Sequence, residues 1–169
     1  MVIMVLGDPD YFSVFCETIK EWNVDGAYGN GILLFCLNGK LYPSEIVSTM
    51  LNCEVWPLKG KLRNIAQDEQ MYSMEKEKAY IEMYNIAFPD FLEDESCNND
   101  YRFKISPYCL EDYNCYVFAV SNGKSVRILA AKLNYNKEVS RHELNNIEVN
   151  EVYISHEELE RIASGLEGF

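Results

Sequence analysis

"CYVFAVSNGKSVRILAAKL", residues 115–133, sets two apolar runs on either side of Asn122-Gly123. Asn-Gly is a strong hairpin signal, because a type I′ turn needs positive φ at both central residues and these two types tolerate it best. With a two-residue loop, Ala119 faces Val126 and Val117 faces Ile128, which makes one apolar face for a core. On the other face Phe118 opposes Arg127, so the guanidinium is expected over a ring.

The same device stands upstream. "GILLFCLNGKLYP" (31–43) is an apolar run that turns at Asn38-Gly39. Before it, "YFSVFCETI" (11–19) alternates Phe12, Val14 and Cys16 against Ser13, Phe15 and Glu17, the period of two expected of a strand. A further strand is predicted over 147–154, "IEVNEVYI". Helical spacing is rarer. "MEKEKAYIEMYNIAF" (74–88) puts Met74, Ile81, Tyr84 and Phe88 on one side, and Pro89 ends it. "ISHEELERIASG" (154–165) opens with a capping box of Ser155 and Glu158, with Ile154 and Leu159 as the hydrophobic staple and Gly165 as the stop. "SRHE" (140–143) repeats the box pattern and suggests a short helical turn. Residues 44–66 are ambiguous: "IVSTMLNCEV" reads as strand, "LKGKLRNI" as a helical turn. No Ser/Pro/Gly linker interrupts the chain. The expectation is one α+β domain over residues 1–169, an antiparallel β-sheet with Asn-Gly hairpins and a few packed helices.

Composition supports a folded globule. Of 169 residues 48% are hydrophobic and 13% aromatic, enough to build an unaided core. The net charge of −12 argues against nucleic acid or an anionic membrane as a direct partner, since phosphates are met by clustered Lys and Arg. It suits a basic protein instead, whose approach an acidic surface accelerates. The charge is uneven. Residues 66–112 carry 12 acids and 4 bases, whereas the segments on either side are each close to balance.

Cysteines stand at 16, 36, 53, 97, 109 and 115 with no CxxC pair. "MVIMVLGDPD" has no basic leader region and its apolar run is short, so the thiols are expected free and the protein cytoplasmic. "DFLEDESCNND" (90–100) holds Asp90, Glu93, Asp94, Glu95 and Asp100 without one Lys or Arg. Three of these acids are adjacent and fan out around the backbone, and no Gly allows the sharp turn of a calcium loop, so no metal is expected. Two readings stay open: a solvated loop after the Pro89 stop, or an acidic face for a basic partner. No phosphate loop, GxGxxG, GxSxG or HExxH pattern occurs, and neither His142 nor His156 has a nucleophile near it in sequence. In "GDPDYF" (7–12) Asp8 is expected to bond nearby amides and start a turn.

Taken in order, "GDPDYF", "EWN" (21–23), "NGILLFCLNGKLYPSEI" (30–46) and "CYVFAVSNGKSVRILAAKL" resemble the immunity 42-type proteins of bacterial polymorphic toxin systems. The resemblance implies a cytoplasmic, non-enzymatic protein without cofactor that protects its producer by binding a cognate toxin domain. It carries no contact residues with it. Joined to the acidity, it suggests that a basic, nuclease-like toxin is sequestered directly, with the five acids of 90–100 as the partner-binding residues and a monomer as the working form. The alternative of another class is an acidic cytosolic chaperone for a secreted effector, which would be an obligate dimer with an exposed apolar groove. A small enzyme comes third and would show a cleft of convergent polar groups.

Overall fold

The computed structural model describes residues 4–24, 29–90 and 96–169. The upstream hairpin is as read. Strands β1 (Met4–Gly7), β2 (Phe12–Thr18), β3 (Asn30–Leu37) and β4 (Lys40–Tyr42) form an antiparallel sheet in that order, and β5 (Thr49–Met50) adds a short pairing to the start of β3. Leu37 pairs with Lys40 across a two-residue loop in which Asn38 and Gly39 take φ of 48° and 75°. In the Asp-Pro turn between β1 and β2, Asp8 Oδ1 accepts from the amide of Asp10 at 2.9 Å.

The deciding stretch forms β6 (Cys115–Ser121) and β7 (Val126–Lys132). A ribbon of β8 (Asn134–Asn136) and β9 (Arg141–Glu143) follows, and β10 (Asn150–Ile154) joins β7 to complete a second sheet in the order β10-β7-β6. The register differs from the expected one by two residues: Ser121 pairs with Val126, Ala119 with Ile128 and Val117 with Ala130. The loop therefore has four residues. Its cause is tertiary and local at once. The Ser121 amide donates to Ala66 O and its carbonyl accepts from the Asp68 amide, both at 2.9 Å. Beyond it, Asn122 Oδ1 accepts from the amides of Lys124 and Ser125, both at 3.0 Å. A shift of two keeps every side chain on its face, so Val117, Ala119, Val126 and Ile128 are all buried. Phe118 now pairs with Leu129, and the expected contact with Arg127 is replaced. Arg127 is buried and donates to Glu151 Oε2 at 2.9 Å, to Tyr72 O at 2.9 Å and to Met74 O at 2.6 Å.

Other readings are corrected in the same way. Ser140 has φ of +52°, which a helix N-cap does not adopt, and "RHE" is strand β9. The strand expected over 147–154 starts only at Asn150, after a turn in which Asn146 has φ of +55°. The ambiguous region is helix α1 (Leu51–Arg63), preceded by only two strand residues. Leu51, Val55, Leu58 and Leu62 make its buried stripe. Helix α2 (Glu69–Ser73) is capped by Asp68, which accepts from the Met71 amide at 2.9 Å. Helix α3 (Lys76–Ala87) starts two residues later than expected, because Met74 is extended at the α2–α3 junction. Its buried stripe is Ala79, Tyr80, Met83, Tyr84 and Ala87, with Ile81 half-buried.

After the short α4 (Tyr108–Glu111), helix α5 (His156–Gly165) has the expected capping box in both directions. Gly165 does not stop it in a left-handed turn. The chain runs on into a 3-10 turn, and the glycine serves packing, since a Cβ there would lie 2.5 Å from Leu6 Cδ2.

One core joins Phe12, Val14, Leu33 and Phe35 of the first sheet to Val117, Ala119 and Ile128 of the second, closed by α1 and α5. A second core packs the opposite face of β6 and β7, with Phe118, Val120 and Leu129, on Tyr80 and Met83 of α3. The second sheet is thus covered on both faces, which is why its strands read as nearly unbroken apolar runs. Cys16, Cys36, Cys53, Cys109 and Cys115 are free thiols, and all of these but Cys53 are buried.

Candidate partner-binding surface

The acidic segment leaves α3 and returns to it. Asn99 Nδ2 donates to Ala87 O at 2.8 Å and the Asp100 amide to Ile86 O at 3.1 Å, satisfying carbonyls that the last helical turn cannot pair. At one end Asp90 pairs with Arg141 of β9. At the other, Asp100 Oδ2 accepts from Arg102 Nε at 2.7 Å and Oδ1 from the Arg102 amide at 3.0 Å, bonds that hold the Asp100 carboxyl below its usual range. Glu93, Asp94 and Glu95 lie outside the described residues. The two described acids of the segment are thus engaged within the chain, though the Asp100 side chain keeps 36% of its exposure.

The chain from Asp100 to Asp112 is moored to α1 and α3 by buried charge. Lys104 Nζ meets Glu111 Oε1 at 2.5 Å, with the two side chains only 4% and 11% exposed. The rings of Tyr108, Tyr101 and Phe88 surround the same ammonium at 4.8, 4.9 and 5.7 Å. Ser106 Oγ donates to Glu111 at 3.0 Å. Glu54 of α1 accepts from the amides of Tyr108 and Cys109 at 3.0 and 3.2 Å; burial raises its carboxyl pKa, and the two amides oppose the shift. This mooring leaves the rings of Tyr101 and Tyr108 facing solvent.

Neither histidine is set up for acid–base work. His142 Nδ1 lies 2.8 Å from Tyr84 Oη and Nε2 lies 2.8 Å from Asn114 Oδ1, among the rings of Tyr84, Tyr116 and Tyr135. Burial lowers its pKa, and a neutral ring with its proton on Nε2 satisfies both neighbours. His156 Nε2 lies 2.9 Å from Ser121 Oγ, but that hydroxyl is buried in the hairpin end and also accepts from the Gly123 amide. Among the described residues, no group of three or more His, Cys, Asp or Glu could hold a metal, and no helix is long and apolar enough to cross a membrane.

A surface that the sequence reading passed over lies on the outer side of α1. Trp56 is 76% exposed there, with Pro57 and Gly60 beside it. A groove of about 340 Å³ runs from Pro57, Gly60 and Lys61 to Tyr101, Arg102 and Lys104. Pro57 and Gly60 are poor helix residues, and they drew attention away from the apolar stripe of Leu51, Val55, Leu58 and Leu62 at helical spacing. That stripe was the signal that would have placed Trp56 on an exposed helix face.

The described residues thus outline an acidic α+β protein that offers charged and aromatic surface, with the buried charges of Arg127 and of the Lys104–Glu111 pair committed to holding the chain together. The chain belongs to the immunity protein 42 family, whose profile matches residues 4–169. A crystal structure of CdiI from Burkholderia dolosa AUO158 shares the fold with a TM-score of 0.77, at 24% identity, over 98% of this chain and 99% of that one. No curated protein matches the chain significantly.

Proposed function

We propose that this protein confers immunity by binding a cognate toxin domain directly, as a cytoplasmic monomer, and that the toxin is a basic, nuclease-like domain. Family membership supports the immunity role and its non-enzymatic character. The single observation that carries the finer reading is the charge of residues 66–112, 12 acids against 4 bases in a chain of net −12. A surface of that sign competes for the cationic side chains with which a nuclease grips phosphates.

Within the segment, Arg141 and Arg102 already offset Asp90 and Asp100. The test is stopped-flow mixing with an inactivated toxin domain from the neighbouring gene. Converting Asp90, Glu93, Asp94 and Glu95 to Asn or Gln should slow association about tenfold at low salt, because exposed charges act on encounter more than on dissociation. The gap should close towards 0.5 M, where the screening length is about 4 Å. An association rate indifferent to salt and to the four changes returns the stretch to a solvated loop.

A further inference from the structure

Helix α1 carries two residues that weaken it for no benefit inside the chain. Pro57 stands in its interior and removes the amide that would bond to the Cys53 carbonyl. Gly60 follows in the next turn, and a Cβ built on it would meet nothing within 4 Å. Its φ lies outside the left-handed region, so neither backbone nor packing within the chain asks for glycine. What the glycine does is leave a shallow notch beside the exposed indole of Trp56. Tryptophan is costly to leave in water and is the residue type most concentrated at the energetic centres of interfaces.

The charged side chains that line this notch are basic, although the protein as a whole is acidic. Lys59 and Arg63 line the groove beside Trp56, and Lys61, Arg102 and Lys104 line the adjoining one across Pro57 and Gly60. Among the described residues, no acidic side chain lines either. Three of these five bases are answered internally: Arg63 by Glu160 of α5 and Glu167 of the 3-10 turn after it, Arg102 by Asp100, and Lys104 by Glu111. Lys61 is not. Its half-buried ammonium donates to Ser106 O at 3.3 Å and makes no ion pair among the described residues. Burial and the neighbouring Lys104 disfavour its charge, which the Glu111 and Glu54 carboxylates nearby only partly offset. A half-buried cation with no carboxylate in direct contact among the described residues has room to take one from outside.

We infer that the outer face of α1 is a docking surface for an acidic segment of the toxin domain, with Trp56 as the apolar anchor and Lys61 as the cation that meets a carboxylate. The inference rests on the toxin-binding reading and adds where on this chain the partner sits. A net-basic partner with a local acidic segment is the electrostatic complement of a net-acidic protein with a local basic strip. Asp100, the last acid of 90–100, is bonded to Arg102 of the groove, so the two surfaces are continuous.

The test uses the full chain and the inactivated toxin domain, with affinity by calorimetry and dissociation by stopped flow. Trp56→Ala should weaken binding about a hundredfold, mainly through faster dissociation, because the anchor of an interface acts on the bound state. Lys61→Met should weaken it about tenfold and alter the salt dependence. Gly60→Ala is the decisive variant. It should raise the thermal midpoint of the free protein, since alanine is the better helix former, while weakening the complex by filling the notch. Tyr11→Ala, exposed in the β1–β2 turn, serves as a control that leaves affinity unchanged.

If wild type binds the toxin and all three α1 variants bind equally well, the docking surface is wrong and the toxin reading stands. If wild type does not bind, both fall. A wild-type dimer that Trp56→Ala dissociates, or an oligonucleotide bound by wild type and lost with Trp56→Ala, overturns the inference in favour of a second copy or a nucleic acid.

Discussion

The two Asn-Gly hairpins begin from the same dipeptide and finish as different turns. At Asn38-Gly39 both residues have positive φ, the loop is two residues long, and a Cβ on Gly39 would meet nothing within 4 Å. At Asn122-Gly123 only the glycine is left-handed, with φ of 87°, the loop is four residues long, and the Gln67 side chain lies 3.1 Å from where a Cβ would stand. The first hairpin keeps the two-residue turn of local preference because its outside bonds fall on the turn residues themselves and suit that turn: the amides of Asn38 and Gly39 donate to Tyr11 O and Pro9 O, and Asn38 Nδ2 donates to Asn150 Oδ1 and Glu151 O. The second has its strand end pinned by residues 66–68, so the turn accommodates the pairing instead of dictating it. An Asn-Gly dipeptide therefore locates a reversal reliably, and the register follows from whatever else the strand ends must satisfy.

That contrast can be tested from its strongest consequence downward. Phe118 packs into the two-sided second sheet, with Tyr80 at 5.3 Å and Tyr84 at 6.4 Å between ring centroids. Phe118→Ala should cost about 3–5 kcal/mol in denaturant unfolding. Val117→Ala, on the other face, removes less and should cost on the order of 1–3 kcal/mol. A loss for Phe118 no larger than for Val117 would mean that the α3 face contributes little to the sheet.

At the turns themselves, Gly39→Ala and Gly123→Ala both force a Cβ into left-handed backbone, each at about 1–2 kcal/mol. Gly123→Ala should be the worse of the pair because Gln67 must also move. Equal losses in thermal unfolding would remove the claim that residues 66–68 constrain the second turn. Asn122→Ala should cost about 1 kcal/mol by releasing the amides of Lys124 and Ser125. A cost near zero would show that the four-residue loop is held by the pairing at Ser121 alone.

The smallest effect concerns pH. His142 links the β8–β9 ribbon to Tyr84 and Asn114, and its pKa in the folded state lies below the ordinary value of 6.5. The unfolded chain therefore takes up the proton first as pH falls. The contribution of His142 to stability should be complete above about pH 6.5 and decline below it, levelling off once the folded form is also protonated. His142→Gln should flatten the fall in thermal midpoint between pH 7 and pH 5; an unchanged profile would assign that fall to other groups.

Much of this protein can be read from residues close together in the chain. The period of two in 11–19, both Asn-Gly reversals, the Ser155–Glu158 capping box and the Asp8 turn involve partners within a few positions, so their geometry is fixed by short-range hydrogen bonds and by the alternation of side chains. The class, α+β with antiparallel pairing, follows from them. The family resemblance was legible for the same reason, since it rests on those ordered turn and strand motifs.

What the sequence did not determine is whatever depends on a partner far along the chain. The division of the strands into two sheets, the four-residue loop at Asn122, and the burial of Arg127 against Glu151 and the carbonyls of Tyr72 and Met74 are of this kind. So is the helix at 51–63. Pro57 and Gly60 weaken its intrinsic preference, and it is stable because Leu51, Val55, Leu58 and Leu62 find the core shared by both sheets. The outer surface of that helix inherits the same dependence. Trp56 and Lys61 are two residues among many in the linear chain, and only the packing of α1, with Lys104 and Tyr101 brought alongside, leaves the indole in solvent and the ammonium half-buried with no direct ion pair among the described residues.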